Sequence, residues 1–295
     1  MKKKSNNSNM TIHFIGIGGI GMSGIAEIML DQGYVIQGSD ITNNDNIKRL
    51  KKKGAKIFQN HNKSNIKNIT AAVFSSAIKK SNPEIIECKN LSIPLVSRAD
   101  MLAELMRGKK SIAIAGSHGK TTTTSLVGAI LEYAKLDPTI INGGVVINRS
   151  INTEKNNRLG SSKWMVVEAD ESDGSFLKLP HEINIVTNID AEHLDYYETE
   201  KKLFEAFENF ITNIPFYGYS IICLDNKYTK KLAKKIKTRN IITFGTSKDA
   251  DVRIYYKTEP ILKYSGTIFN VSIKEDVISK FSFNKKDFET IKRLN

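Results

Sequence analysis

The fold of this chain is decided by one stretch, AIAGSHGKTTTT at residues 113–124. The apolar run at 111–115 predicts a strand, the glycines after it predict a tight loop, and the threonines begin a helix. The end of the stretch fits the phosphate-binding pattern G-x-x-x-x-G-K-[ST], with GKT at 119–121. However, Ile114 stands where that pattern has its first glycine, and the glycine that is present, Gly116, comes two residues later.

A glycine loop that joins a strand to a helix indicates a nucleotide site rather than a turn that spells GKT by chance. Lys120 would place a cation between the β- and γ-phosphates, and the hydroxyl of Thr121 would ligate magnesium. The shorter loop can still cradle phosphates, because Gly116 allows a sharp turn directly after the strand. The residues predicted to bind ATP are Gly116, Ser117, His118, Gly119, Lys120, Thr121 and Thr122.

Length and composition are those of an ordinary globular protein. The chain has 295 residues, which suggests two domains, and its apolar and charged fractions are 40% and 25%. No apolar run reaches the ~18 residues of a membrane span. The basic start, MKKKSNNSNM, lacks the apolar run and the cleavage site of a signal peptide. We therefore expect a cytoplasmic protein without membrane insertion.

The chain carries a net charge of +13. Its lysines lie in scattered short clusters without interleaved aromatic residues, so solvated helix faces are favoured over a nucleic-acid surface, and small anionic substrates would suit the positive field. The two cysteines, Cys88 and Cys223, are far apart and have no ligand-like neighbours. They are interpreted as buried thiols without a disulfide. The oligomeric state is left open by the sequence.

Two domains are predicted, at residues 1–108 and 109–295. In the first, short apolar runs alternate with helical stretches, a pattern typical of a Rossmann-like parallel sheet with covered faces. The second is predicted to be a P-loop α/β domain, in which strands and helices alternate up to about residue 251. The strands expected before that point lie at 12–17, 34–37, 55–58, 71–74, 94–96, 111–115, 164–168, 183–187, 221–224 and 241–244.

The end of the second domain follows a different pattern. Residues 252–256, 267–273 and 277–283 are predicted to be consecutive strands joined by short turns, which form a β meander. The earlier segment at 148–162 is rich in asparagine, serine and charged residues, so we expect an exposed loop there.

Another glycine loop lies near the start of the chain, in HFIGIGGIGMSG at 13–24. It has the pattern G-x-G-x-x-G at Gly16, Gly18 and Gly21, follows a predicted strand and opens a predicted helix. Asp40 follows the next predicted strand, about 20 residues further on, where an acid could accept hydrogen bonds from ribose hydroxyls. The loop thus predicts a site for a nucleoside diphosphate, a group that both NAD and a UDP-sugar contain.

Two acidic turns follow strands of the second domain. One is EADESDGSF at 168–176, whose acids would suit magnesium, a hard cation, although such a turn is as often a solvated loop. The other is NIDAEHLDY at 188–196, and its His193 would be a second metal ligand or a phosphate contact, or else a helix-cap or surface histidine. Both turns are expected at the crevice where open α/β sheets bind their ligands.

Seven motifs in this order resemble the Mur ligases of peptidoglycan synthesis, whose P-loop has the short form G-[TS]-[HN]-G-K-T. They are HFIGIGGIGMSGIAE, GSD, SSAI, SRADMLAELMR, AGSHGKTTTT, VEADESDGSFL and TNIDAEHLDYY. The short form explains the displaced glycine. The similarity extends over most of the chain and is greatest to the members that act on UDP-N-acetylmuramate and L-alanine.

The resemblance implies an ATP-dependent ligase that joins L-alanine to the lactyl carboxylate of UDP-N-acetylmuramate through an acyl phosphate, with ATP and magnesium as cofactors. It implies catalytic roles for Lys120, Glu168 and His193, and magnesium binding by Thr121, Glu168 and His193. The residues that it implies for the UDP-sugar are Gly16, Gly18, Gly19, Ile20, Gly21, Asp40, Ser75, Ser76 and Arg98.

The sequence departs from this family after FSFN at 281–284. Members of the family continue into a third domain that closes over the site, whereas this sequence continues as KKDFETIKRLN. Because closure protects an acyl phosphate from water, the departure leads us to expect a chain that ligates poorly or only binds UDP-sugar and ATP. A ligase that recycles murein tripeptide and a nicotinamide-dependent oxidoreductase are the alternatives.

Overall fold

Two compact units make up the part of the chain that the computed structural model describes. The first unit holds the chain up to Ala115 together with Gly119–Glu182, and the second holds Gly116–His118 together with the chain from Ile183 onward. None of the helices in the described residues is long and apolar enough to cross a membrane. The described residues are 9–143, 147–148, 153–154, 157–256 and 269–281.

The first unit begins with a parallel sheet whose strands alternate with helices. Its elements are β1 (Thr11–Ile15), α1 (Ile20–Asp31), β2 (Val35–Asp40), α2 (Asp45–Lys52), β3 (Lys56–Gln59), β4 (Ala71–Phe74), α3 (Pro83–Asn90), β5 (Leu95–Ser97) and α4 (Arg98–Met106). The strand order is β3-β2-β1-β4-β5, and each neighbouring pair is parallel. The predicted Rossmann-like sheet is therefore confirmed.

Local sequence sets the ends of these elements. Gly16 has a φ of 81°, which takes the chain out of β1 two residues before the predicted end of the strand. Ser97 caps the N-terminus of α4, since its hydroxyl accepts a hydrogen bond from the Asp100 amide. Asn82 caps α3 in a similar way, and Pro83 takes the first helical position, where no amide hydrogen is needed.

The first unit continues with the strand and the helix predicted on either side of the P-loop. The elements are β6 (Lys110–Ala115), α5 (Lys120–Tyr133), β7 (Thr139–Ile141), β8 (Ile147–Asn148), β9 (Thr153–Glu154), β10 (Asn157–Arg158) and β11 (Trp164–Glu168). In this unit β11 lies between β6 and β7 and is parallel to both, while β10 is antiparallel to β7. Strands β8 and β9 form a separate antiparallel pair.

The prediction of an exposed loop at 148–162 is wrong for part of that segment. Strand β10 lies within it, Asn157 is buried, and the side-chain oxygen of Asn157 accepts a hydrogen bond from the Asn142 amide at 3.1 Å. Strands of two residues leave no alternating pattern in the sequence, so composition alone suggested a loop. Residues 149–152 and 155–156 of the segment lie outside the described part of the chain.

The second unit is a further set of strands with helices between them. Its elements are β12 (Ile183–Val186), α6 (Leu194–Tyr197), α7 (Glu200–Thr212), β13 (Tyr219–Cys223), α8 (Lys227–Lys235), β14 (Asn240–Gly245), β15 (Val252–Tyr256), β16 (Phe269–Ile273) and α9 (Glu275–Lys280). Strands β12, β13, β14 and β15 pair in that order and in parallel, and β16 is antiparallel to β15. The first two residues of the strand predicted at 267–273 lie outside the described residues.

The prediction of a third strand in the β meander, at 277–283, is wrong. Its first residues lie in helix α9, and its last two lie outside the described residues. Glu275 and Asp276 supply negative charge to the first turn of α9, where the helix dipole favours it. Val277 is buried and anchors the helix. The apolar residues that suggested a strand therefore belong to an amphipathic turn that starts at an acidic pair.

Candidate functional site

The P-loop begins at Gly116, the glycine displaced from the general pattern. Gly116 follows β6 with a φ of 140°, which residues with side chains rarely adopt, and a Cβ there would lie 2.1 Å from Thr187 Oγ1. At the other end of the loop, Gly119 has a φ of 80° and precedes α5. Ile114, at the position of the missing glycine, is buried in β6. The turn therefore starts two residues later than in the general pattern, and the glycine that the turn requires stands at 116 instead of 114.

The ammonium group of Lys120 is bound by a buried carboxylate. Lys120 is the first residue of α5, and its Nζ lies 2.9 Å from Oε1 and 2.8 Å from Oε2 of Glu171. The Glu171 side chain is 1% exposed. Burial raises the pKa of Glu171, and the Lys120 ammonium acts against this rise by stabilising the charged carboxylate. The contact between the two groups is therefore largely removed from solvent.

The next residue of the loop, Thr121, contacts the start of the same acidic turn. Its Oγ1 donates a hydrogen bond to Oε2 of Glu168 at 3.0 Å, and the Gly143 amide donates to the same oxygen at 2.8 Å. Glu168 is the last residue of β11 and lies opposite Ile114 in the parallel pairing with β6. The pairing of these two strands thus brings together Thr121 and Glu168, two of the three predicted metal ligands.

Magnesium, which the family resemblance implies, fits the atoms at this contact. A threonine hydroxyl and a carboxylate are the hard oxygen donors that Mg²⁺ prefers, and they lie 3.0 Å apart. Among the residues that the structure describes, no group of three His, Cys, Asp or Glu side chains could hold a metal ion on its own. A magnesium ion at Thr121 and Glu168 would then complete its coordination with water and substrate phosphate, as it commonly does.

Two histidines of the predicted site belong to the second unit. Nε2 of His118 lies 3.2 Å from Oδ2 of Asp190 and 3.5 Å from Oε1 of Glu192, and the His118 amide donates to the Asn188 side chain at 2.8 Å. His193 has a φ of 57° and is the residue before α6. The catalytic and metal-binding roles of His193 stay predictions.

In the glycine loop near the start of the chain, the first three backbone amides donate hydrogen bonds to other groups of the protein. The amides of Gly16 and Ile17 donate to the Ser39 carbonyl at 2.8 and 3.1 Å, and the Gly18 amide donates to Oδ2 of Asp40 at 2.7 Å. The other oxygen of Asp40 accepts hydrogen bonds from the amide and hydroxyl of Thr42. These residues therefore define the shape of the loop, and the predicted contact of Asp40 with a ribose stays a prediction.

A cavity of about 320 Å³ in the first unit is lined by the start of α1 and by the acidic turn after β11. Glu168 is part of its wall, whereas Gly16, Gly18 and Asp40 are not. Amides in the first turn of a helix have no partner within that helix and attract anions. The predicted UDP-sugar residues that line the cavity are Gly19, Ile20, Gly21, Ser75, Ser76 and Arg98.

Arg98 lies in this cavity beside two acids of the turn. Its guanidinium donates to Oγ of Ser175 at 3.4 Å and lies 3.9 Å from Oδ2 of Asp170. Burial would raise the pKa of Asp173, but hydrogen bonds from Ser175 and Ser76 and the charge of Arg98 lower it below its ordinary value. The cavity wall therefore carries fixed charges of both signs.

The sequence predicts the acidic turn at the site, but three of its residues that contact site residues, Glu171, Asp173 and Ser175, are absent from the predicted set. The available signal is the spacing of Glu168 and Glu171, which places two acids on one short turn next to a loop that contains Lys120. Nothing in the sequence says which acid reaches which P-loop residue, because the backbone of the turn decides it.

The chain belongs to the Mur ligase family. The family model for the Mur ligase catalytic domain matches residues 11–110, and that for the Mur ligase middle domain matches residues 114–284, which is more than half of the chain. The resemblance carried by the seven motifs is thus confirmed. Since this is a family of ligases, the oxidoreductase interpretation of the first glycine loop loses its support.

Curated relatives are similar over most of this chain. The UDP-N-acetylmuramate–L-alanine ligase of Rickettsia bellii is 53% identical over 247 residues, which are 84% of this chain and 51% of that protein. The enzyme of the same name from Methylorubrum extorquens is 52% identical over 264 residues, which are 90% of this chain and 55% of that protein. The chain therefore spans about half the length of the curated relatives it matches.

Solved structures of the same family have a similar fold. The UDP-N-acetylmuramate–alanine ligase of Thermotoga maritima is 29% identical with a TM-score of 0.72, over 83% of this chain and 54% of that chain. A murein peptide ligase of Psychrobacter arcticus reaches a TM-score of 0.76 at 23% identity, over 90% of this chain and 59% of that chain, and supports the fold alone.

Proposed function

We propose that this chain carries the UDP-sugar and ATP sites of a ligase that joins L-alanine to the lactyl carboxylate of UDP-N-acetylmuramate, in cytoplasmic peptidoglycan precursor synthesis. The observation that carries the proposal is the shared cavity of the first unit. Residues at the start of α1 and Arg98 line it together with Glu168, whose carboxylate accepts a hydrogen bond from the P-loop residue Thr121. A sugar nucleotide and a phosphoryl donor could therefore meet there.

The proposed chemistry needs positioning and charge rather than a nucleophilic side chain. The lactyl carboxylate attacks the γ-phosphate of ATP and displaces ADP, which gives the acyl phosphate. The amine of L-alanine then attacks the acyl carbon, loses a proton and displaces phosphate, so the substrates supply both nucleophiles. Lys120 would bind the β- and γ-phosphates, and magnesium held by Thr121 and Glu168 would neutralise developing charge when bound. His193 is proposed as a further metal or phosphate contact.

The two predicted domains are proposed to bind different substrates. We propose that residues 1–108 bind the UDP-sugar and that 109–295 bind ATP, a boundary supported by the family models for 11–110 and 114–284. The proposed ATP residues are Gly116 to Thr122. Similarity to two proteins named UDP-N-acetylmuramate–L-alanine ligase, at 52% and 53% identity, supports the choice of substrate.

The proposal is tested by calorimetric titration of the chain with UDP-N-acetylmuramate, with NAD as the parallel ligand. We expect the UDP-sugar to bind and NAD not to bind. Arg98→Ala should weaken UDP-sugar binding, while Arg107→Ala, which removes an exposed arginine from the same stretch, should leave binding unchanged. Binding of NAD alone would contradict the proposal and restore the dehydrogenase interpretation of the first loop.

Ligation itself requires a second assay, because the chain spans about half the length of its relatives. Phosphate release with UDP-N-acetylmuramate and ATP is compared with and without L-alanine, and with a murein tripeptide in its place. Alanine-dependent release supports the proposed ligase. Tripeptide-dependent release would support the recycling ligase, and UDP-sugar binding without any release would leave a binding role for this chain.

A further inference from the structure

Lys120 has an anionic partner within the protein. Both carboxylate oxygens of Glu171 lie within 2.9 Å of Lys120 Nζ. The Lys120 side chain is 14% exposed and the Glu171 side chain is 1% exposed. In a phosphate-binding loop, this lysine supplies the positive charge for the β- and γ-phosphates of a nucleotide. The same ammonium group therefore has two possible anionic partners, and one of them belongs to the protein.

The backbone holds Glu171 close to the P-loop. The Ala169 amide donates to the Ile114 carbonyl at 2.8 Å, which fixes the acidic turn to the end of β6. On the other side of Glu171, the Gly174 amide donates to the Glu171 carbonyl at 3.1 Å. Because the start of the turn is bonded to the end of β6 and the turn is closed by its own hydrogen bond, we expect the Glu171 carboxylate to stay near the P-loop when phosphate enters.

We propose that Glu171 is an internal counter-ion, which competes with nucleotide phosphates for Lys120 and thereby lowers the affinity of the P-loop for nucleotide. The inference rests on the proposed ATP site. A buried carboxylate repels a nearby phosphate strongly, because charges are poorly screened away from water. Removing that carboxylate would, however, take a close negative charge from the largely buried Lys120 ammonium, which is costly. Glu171 is thus a positioning residue that acts through Lys120.

A purely structural ion pair makes the opposite prediction. If Glu171 only held Lys120 in the orientation that phosphate needs, its neutralisation would misplace the ammonium group and weaken nucleotide binding. If Glu171 competes with phosphate, neutralisation releases the ammonium group and removes a repelling charge, so binding becomes tighter. The sign of the change in nucleotide affinity therefore distinguishes the two roles.

The experiment is calorimetric titration of the whole chain with ADP and magnesium. For Glu171→Gln, which keeps the size of the side chain and removes its charge, we expect ADP to bind about tenfold more tightly, the equivalent of one charge interaction in a partly screened site. The matched control is Glu104→Gln, which removes the same charge from an exposed pair with Arg107. It should leave ADP affinity within about twofold, since exposed pairs contribute little.

Equal or weaker ADP binding by a folded Glu171→Gln variant would overturn the inference. If that variant does not fold, Glu171→Asp gives the answer, because it keeps the charge and withdraws the carboxylate from Lys120 by one methylene group. A smaller tightening of ADP binding is then expected, and unchanged or weaker binding contradicts the competition. A wild-type chain that binds no ADP would contradict the proposed ATP site as well, so the two failures are distinguishable.

Discussion

Asn157 occupies the space that a side chain on Gly24 would need. A Cβ built on Gly24, in the middle of α1, would lie 2.6 Å from Nδ2 of Asn157, which is buried in β10 of the same unit. Glycine inside a helix costs about 1 kcal/mol relative to alanine, so this close contact explains why α1 has a glycine here.

Gly24→Ala should therefore destabilise the chain despite the better helix propensity of alanine. Overpacking costs roughly 1–3 kcal/mol, and the gain in propensity is about 1 kcal/mol, so we expect a net loss of about 1 kcal/mol in the free energy of unfolding by urea. In an Asn157→Ala background, which removes the obstructing amide, the same change should be neutral or stabilising. Equal losses in both backgrounds would contradict the contact.

Gly116→Ala should prevent the P-loop from forming. The Cβ would lie 2.1 Å from Thr187 Oγ1, and the φ of 140° is strained for any side chain. We expect loss of ADP binding and a fall of several kcal/mol in unfolding free energy, on the order of the largest single-site effects. The matched control is Gly108→Ala, which has a positive φ but open space around it and should cost only about 1 kcal/mol.

Glu168→Gln should remove most of the effect of magnesium on nucleotide binding. The carboxylate of Glu168 is a proposed metal ligand, and a neutral amide binds Mg²⁺ much more weakly. ADP affinity with and without magnesium, measured by calorimetry, should differ strongly for the wild type and little for the variant. Glu198→Gln, which breaks an exposed pair with Lys202, serves as the control. A magnesium effect of wild-type size in Glu168→Gln would exclude this ligand.

Acid should remove the stabilising contribution of Glu84. This carboxylate is buried, which alone would raise its pKa, but hydrogen bonds from His13, Ser39 and Asn65 lower the pKa to about 2 from an ordinary value of 4.5. His61 also contacts it at 3.0 Å. A lowered pKa means that the stabilisation is fully present above about pH 4.5 and is lost as the pH falls towards 2.

The size of this contribution is roughly 3 kcal/mol by linkage between the two pKa values. The difference in unfolding free energy between wild type and Glu84→Gln should therefore be large at pH 7 and should shrink progressively between about pH 5 and pH 3. Urea unfolding at several pH values measures it, with the exposed Glu104→Gln as a control. A difference that stays constant down to pH 3 would contradict the assignment.

The two thiols should react at different rates. Cys88 is buried without a disulfide, and burial raises its pKa to about 11, so little thiolate is present at pH 8. Burial also raises the pKa of Cys223, which is partly exposed. Iodoacetamide at pH 8 should modify Cys223 first in the folded chain, and both thiols at similar rates in urea. Faster modification of Cys88 in the folded chain would contradict this order.

Features of the site that depend on local conformation were predictable from the sequence. The turns at Gly16, Gly116 and Gly119 require positive φ angles, which glycine tolerates, and each lies where a strand gives way to a helix. The contact of Thr121 with Glu168 also follows from a general rule, because neighbouring parallel strands end at the same edge of a sheet.

Features that depend on distant contacts were not predictable. Glu171 reaches Lys120 because a hydrogen bond from Ala169 to Ile114 fixes the turn, and no local pattern encodes that bond. Helix α9 was predicted as a strand because a short apolar run suits either structure, and the buried contact of Val277 decides between them.

The internal hydrogen bonds of the first glycine loop have a consequence for the kinetics of binding. Since the amides of Gly16, Ile17 and Gly18 are already held by Ser39 and Asp40, the loop is preorganised, and a ligand loses little entropy in ordering it. Association with a nucleoside diphosphate should then proceed without slow rearrangement of the loop, at a rate set by diffusion and by the positive charge of the chain. Differences in affinity among related sugar nucleotides should accordingly lie in their dissociation rates.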